Sequence, residues 1–202
     1  MGELPIIVFE WWKDPKGYRL AEVGHPKLLR IVRNGRTRDL ELSRPLDSPD
    51  TFRIFATTAT TPEGLLKFVQ RFGPLTFLGN DQGELVGDVT RRAVIMQDTL
   101  KWLSAHPRRK PPDLGWSANC AAWLRWDPQA KNLRWQLHPS TLLDGLWLQF
   151  AQAVTRGVHI RSCAHCGDLF EAGLGTGRRL DAKFCSDEHR IAFNSLKRSR
   201  EK

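Results

Sequence analysis

The sequence predicts an α+β protein, with a mixed strand-and-helix domain over residues 1–157 and a small zinc finger over residues 158–202. Three observations carry this prediction. Strand-forming segments dominate the first sixty residues, and three segments with helical periodicity follow between residues 61 and 156. Near the C-terminal end, three of the four cysteines and one histidine fall into two closely spaced pairs. At 202 residues, 41% of them hydrophobic, the chain can bury a core.

Residues 5–12 are an apolar and aromatic run rich in strand formers. Residues 28–33 and 36–42 flank Asn34-Gly35, a pair suited to a tight hairpin turn, so the two segments are expected to pair. Residues 43–50, with two prolines and several aspartate and serine residues, read as a loop. A helix is then expected from Thr61 as N-cap and Pro62 at the first position, ending at Gly73-Pro74. Leu65, Leu66, Phe68, Val69 and Phe72 form its apolar stripe. A longer helix is predicted over residues 85–105, with Val89, Ala93, Met96, Leu100 and Leu103 recurring at three- and four-residue steps and Pro107 beyond its end.

Residues 106–115, with Arg108, Arg109, Lys110 and a proline pair, read as an exposed connector. Two short strands, 121–126 and 133–137, are expected around a turn at 127–132. The alternation is imperfect because Ala122, Trp123 and Leu124 are consecutive. Most of the eight tryptophans are expected in the core or in strand pairs rather than on a base-stacking face. A further helix over about 140–156 has a wide apolar face that includes Leu142, Leu146, Trp147 and Phe150. Gly157 follows its end.

From Cys163 the pattern is Cys-x2-Cys166-x18-Cys185-x3-His189. A structural zinc ion takes four thiolate or imidazole ligands in a tetrahedron, so Cys163, Cys166, Cys185 and His189 are the predicted ligands of one such ion. The two-residue gap allows a tight knuckle that Gly167 can relax. The three-residue gap sets Cys185 and His189 on one face of a helical turn, with Ser186 as its cap. Residues 168–171 are expected to form a short strand, with Gly173, Gly175 and Gly177 in a turn. Ile191, Ala192 and Leu196 are expected to line the inner face of the last helix. Histidine as fourth ligand suits zinc better than an iron–sulfur cluster.

At Cys163-Ala164-His165-Cys166-Gly167 and Phe184-Cys185-Ser186-Asp187-Glu188-His189 the chain resembles treble-clef zinc fingers of small bacterial proteins. Their pattern is CxxCG, a hairpin, then FCSxxC opening a helix; here His189 stands where the last cysteine usually stands. The layout is also similar to CGNR-finger proteins, in which an ABATE-type domain precedes the finger. No Cys-Gly-Asn-Arg follows Cys185, where the chain reads His189-Arg190-Ile191-Ala192. The resemblance implies a treble-clef fold and a role in transcription regulation.

The formal charge of +9 favours an anionic partner. Arg178, Arg179 and Lys183 precede the last ligand and Arg190, Lys197, Arg198 and Arg200 follow it, so these seven are the candidate nucleic-acid contacts. The alternatives are a rigid finger that docks a protein, and a basic terminus without a partner. No enzymatic activity is expected, because four protein ligands close the metal site. A dyad of Cys120 with His138 is the one nucleophile considered, and a lone cysteine is expected to be a buried apolar residue. The chain lacks a run of about 18 apolar residues that would span a membrane, and its start does not read as a signal peptide. A cytoplasmic protein is the expectation.

Overall fold

The computed structural model describes residues 4–36, 39–76, 83–106, 117–129, 131–156, 158–173 and 175–200, with the Arg200 side chain outside that set. Among these residues are ten strands and five helices, so the α+β class holds. The chain forms two compact units, Met1–Ile95 with Gly115–Gln152, and Met96–Leu114 with Ala153–Lys202. No described helix is long and apolar enough to cross a membrane. The predicted connector, with Arg108, Arg109 and Lys110, lies outside the described residues.

In the first unit the N-terminal run breaks into two short strands, β1 (Ile6–Ile7) and β2 (Trp11–Lys13). The expected hairpin about Asn34-Gly35 does not form. Instead β3 (Tyr18–Val23) pairs antiparallel with β4 (Leu28–Arg33) through a turn at residues 24–27. Among the described residues of the expected 36–42 strand only the far end is a strand, as β5 (Glu41–Ser43), and it pairs with β2. The reason lies in Asp14, a carboxylate only 3% exposed. It accepts the Gly35 N–H at 2.6 Å and the Lys16 N–H at 2.9 Å. A Cβ on Gly35 would sit 2.5 Å from an Asp14 oxygen, so glycine is required there by close approach and not by a hairpin turn.

An unforeseen helix, α1 (Thr51–Thr58), precedes the predicted one. Its β-branched and aromatic residues are weak helix formers, and packing overrides that weakness by burying Phe52, Phe55 and Ala56. The helix α2 (Pro62–Phe72) follows the sequence closely: Thr61 Oγ1 accepts the Gly64 N–H, and Gly73 ends it at φ 93°. Next come β6 (Glu84–Leu85) against β4, and α3 (Val86–Ala105), in which Val89, Ala93, Met96 and Leu100 are buried as spaced. The strands β7 (Cys120–Asp127) and β8 (Asn132–Pro139) form an antiparallel hairpin, and β8 also pairs in parallel with β1. The helix α4 (Leu142–Thr155) closes the series.

Aromatic edges knit this core: Phe52 meets Phe150 at 6.0 Å and Phe55 meets Phe68 at 5.3 Å between ring centroids. Gln149 of α4 donates to the carbonyls of Leu46 and Ser48 and so pins the predicted loop. Trp11 and Trp147 are buried, but Trp12, Trp123, Trp126 and Trp135 are exposed. Trp11, Trp12, Trp123, Trp126 and Trp135 lie in paired strands and Trp147 in the core, as expected of most of the set. The expectation of a buried Cys120 is corrected, because it is exposed on β7.

Glu84 is a second buried carboxylate. Its Oε1 accepts the backbone N–H groups of Leu75 and Thr76 and the Thr76 hydroxyl, while Oε2 has no partner among the described residues. Burial pushes its carboxyl up to about 7 against those donors. A raised carboxyl stabilises the fold most below the ordinary value near 4.5 and loses that contribution as pH rises to about 7. The neutral isostere Glu84→Gln removes this titration. Thermal or denaturant unfolding should show the wild type losing about 3 kcal/mol relative to the variant between these limits. A difference that stays flat with pH would contradict the assignment.

Candidate metal centre

The second unit contains a hairpin of β9 (His159–Ser162) and β10 (Leu169–Ala172), followed by α5 (Asp187–Arg200). The first cysteine pair sits at the hairpin tip. Gly167, at φ 79°, turns the chain there and donates its N–H to the Cys163 carbonyl, while the Cys163 N–H returns to the Asp168 carbonyl. The second pair is set by the start of α5. Ser186 caps it, its Oγ accepting the His189 N–H at 3.2 Å, and Asp187 and Glu188 occupy the first turn. Two bonds lock the pairs together: Ala164 N–H to the Lys183 carbonyl at 2.8 Å, and Cys185 N–H to Cys163 Sγ at 3.4 Å.

As a result the sulfurs of Cys163, Cys166 and Cys185 and a ring nitrogen of His189 all lie within 4.8 Å of one another. The Cys166–Cys185 sulfur separation is 3.8 Å, and Cys163 Sγ lies 3.9 Å from His189 Nδ1. Cys185 Sγ to His189 Nδ1 is the tight edge at 2.9 Å. A tetrahedral ion bound at usual metal–sulfur and metal–nitrogen lengths needs edges of about 3.8 Å and about 3.5 Å. The donor set and its convergence within 4.8 Å therefore suit one metal ion.

The electrostatics agree. Burial opposes ionisation of Cys163, but N–H groups of Cys166, Cys185 and His165 outweigh it and bring that thiol down to about 6. Burial pushes Cys166 up to about 12 and raises Cys185 as well. Left to themselves, three converging thiols do not all ionise; a divalent cation among them supplies the charge that holds three thiolates.

Around the cluster, Cys163, Phe170 and Ala172 form a small core with Ala182 and Phe184 packed on it. Phe193 of α5 meets Phe184 at 5.3 Å, whereas Ile191 and Leu196 are exposed. The inner face of α5 is thus partly corrected: Ala192 is half-buried as expected, and Phe193 takes the place expected of Ile191 and Leu196. His165 is half-buried, its ring 4.9 Å from that of His189.

The seven basic candidates divide. Arg178 donates to the Cys185 carbonyl at 2.6 Å and lies over the Phe170 ring, so it braces the ligand loop, a role that spacing alone did not reveal. Arg178, Arg179, Lys183 and Arg190 line one concavity of about 870 Å³, together with Asp181, Asp187 and Ser186. Arg190 also pairs with Asp187 at 3.1 Å. Lys197 and Arg198 are exposed further along α5, and Arg200 closes that helix. The Cys120–His138 dyad is not assembled. Cys120 lies opposite Pro139 and His138 opposite Ala121, so the two side chains leave opposite faces of the hairpin.

Compared with protein-family models, with curated proteins and with solved structures, the chain matches none.

Because metal binding and folding of so small a lobe are coupled, Cys185→Ala should abolish metal retention and the ordered signals of residues 158–200 in a heteronuclear spectrum. Cys120→Ser should leave both intact. Arg178→Ala should weaken metal retention roughly tenfold in a chelator competition, because it removes a brace on a ligand loop. Equal behaviour of the Cys120 and Cys185 variants would contradict the assignment.

Proposed function

We infer that the C-terminal lobe is a structural zinc finger of the treble-clef type, and that it carries a basic surface for the phosphate backbone of nucleic acid. The carrying observation is the concavity beside the Cys3His cluster, lined by Arg178, Arg179, Lys183 and Arg190. Four cations and two carboxylates leave an excess of positive charge in a recess, the arrangement that focuses field on an anion.

The zinc assignment rests on the donor chemistry, three thiolates and one imidazole, and on the convergence of the four donors within 4.8 Å. The treble-clef assignment rests on the order knuckle, hairpin, helix, with the last two ligands at the start of α5. With four protein donors on one ion no coordination position remains for substrate, so the role of this centre is structural rather than catalytic. Arg190 and Lys197 lie seven residues apart on one stripe of α5, which extends the basic surface along the helix. Phosphate contacts of this kind position a duplex without reading its sequence. Regulation of transcription in the cytoplasm is the role that fits the family resemblance of the finger and a set of reduced thiols.

A second reading is favoured by the exposed Ile191 and Leu196, two large apolar side chains on α5 that a protein partner would cover. Salt dependence separates the two. Binding of a random-sequence DNA duplex, followed by fluorescence anisotropy, should weaken steeply with salt. The triple variant Arg179→Ala, Lys183→Ala, Lys197→Ala should flatten the log–log slope by about 2 to 3. Duplex binding unaffected by these changes, or absent at low salt, would overturn the nucleic-acid reading and leave the protein platform.

A further inference from the structure

The β7–β8 hairpin carries an apolar face that the described residues leave exposed. In the register Leu124 opposite Trp135 and Trp126 opposite Leu133, directly opposed residues share a face. One face therefore collects these four with Ala122 and Leu137, and it holds no charged side chain; Arg125, Asp127 and Arg134 all fall on the other. The quartet is open to solvent: Leu124 is 53% exposed, Trp126 60%, Leu133 58% and Trp135 58%. Pairing with β1 reaches only Gln136 and Leu137 of β8, so the outer part of the hairpin is two-stranded and marginal in water by itself, and a large contiguous apolar patch marks a contact site.

The pattern of the patch identifies its occupant. Leucine and tryptophan alternate along each strand and across the pair, so the tryptophans occupy one diagonal of a square and the leucines the other. Bring a second copy face to face about a two-fold axis lying along the strands or across them. Every tryptophan then meets a leucine of the other copy, and every leucine meets a tryptophan. Large side chains oppose smaller ones, which lets the two layers interdigitate, and no like charges meet despite the chain's +9. Two half-exposed tryptophans and two half-exposed leucines offer roughly 500 Å² per copy. The pair then buries about 1,000 Å², at the threshold of a specific interface before neighbouring residues are added. Edge-to-edge pairing through β7, the outer strand of its sheet, would instead leave a doubled apolar patch in water.

We propose that the protein is a homodimer closed by face-to-face packing of two β7–β8 hairpins through Leu124, Trp126, Leu133 and Trp135. The interface lies in the first unit and is independent of the proposed nucleic-acid surface.

Sedimentation equilibrium of the full, metal-loaded chain in the micromolar range should return twice the monomer mass. Trp126→Glu with Leu133→Glu changes only exposed positions, brings like charges together across the interface and should weaken self-association roughly tenfold or more, with an unchanged far-ultraviolet spectrum. Trp123→Ala, on the opposite face, should remain dimeric. If the double variant loses its spectrum, Leu124→Gln and Trp135→Gln, read in the same way, decide. A wild type that is monomeric throughout this range overturns the proposal, even if it captures another protein or a lipid vesicle. So does self-association that survives the changes on the apolar face, or is abolished by Trp123→Ala.

Discussion

Four donor atoms drawn from two places in a short segment must meet at one point, and the order of the C-terminal lobe depends on that meeting. The knuckle at Gly167 and the cap at Ser186 each fix one pair locally. Neither brings the pairs together. That is done by the bonds from the Ala164 N–H to the Lys183 carbonyl and from the Cys185 N–H to the Cys163 sulfur, and they close a segment whose own buried cluster is small: Cys163, Phe170 and Ala172. A core of that size cannot offset the conformational entropy of ordering some forty residues, and an ion held only by the folded arrangement would contribute the remainder.

The same arrangement explains why the basic residues are not equivalent. Arg178 is drawn inward, onto the Cys185 carbonyl and the Phe170 ring, so its charge serves the ligand loop as much as the concavity. Arg190 shares its guanidinium with Asp187. Metal centre and basic recess are thus one construction: the residues that hold the last ligands in place also wall the recess. Separation of the four donors would disperse both.

Local chemistry was legible in the sequence, and partner choice was not. The ligand set could be read because each pair is spaced by its own turn, and α2 because Thr61, Pro62 and Gly73 punctuate it without reference to anything distant. Asn34-Gly35 misled for the opposite reason: its glycine answers to the carboxylate of Asp14, twenty-one residues away. The helix α1 escaped notice because threonine and phenylalanine form helices poorly until Phe52 and Phe55 are buried by the rest of the core. The exposed tryptophans were hidden by the consecutive Ala122, Trp123 and Leu124, which blur a two-residue alternation that only the strand register resolves. Leu124 with Trp126, and Leu133 with Trp135, were the available signal.

X-ray absorption at the metal edge, on protein purified without chelator or added metal, tests the central claim most directly. The account predicts one zinc per chain, surrounded by three sulfurs at about 2.3 Å and one nitrogen at about 2.0–2.1 Å. Protein that folds fully with no metal, or a coordination sphere completed by water or carboxylate oxygen, would contradict it.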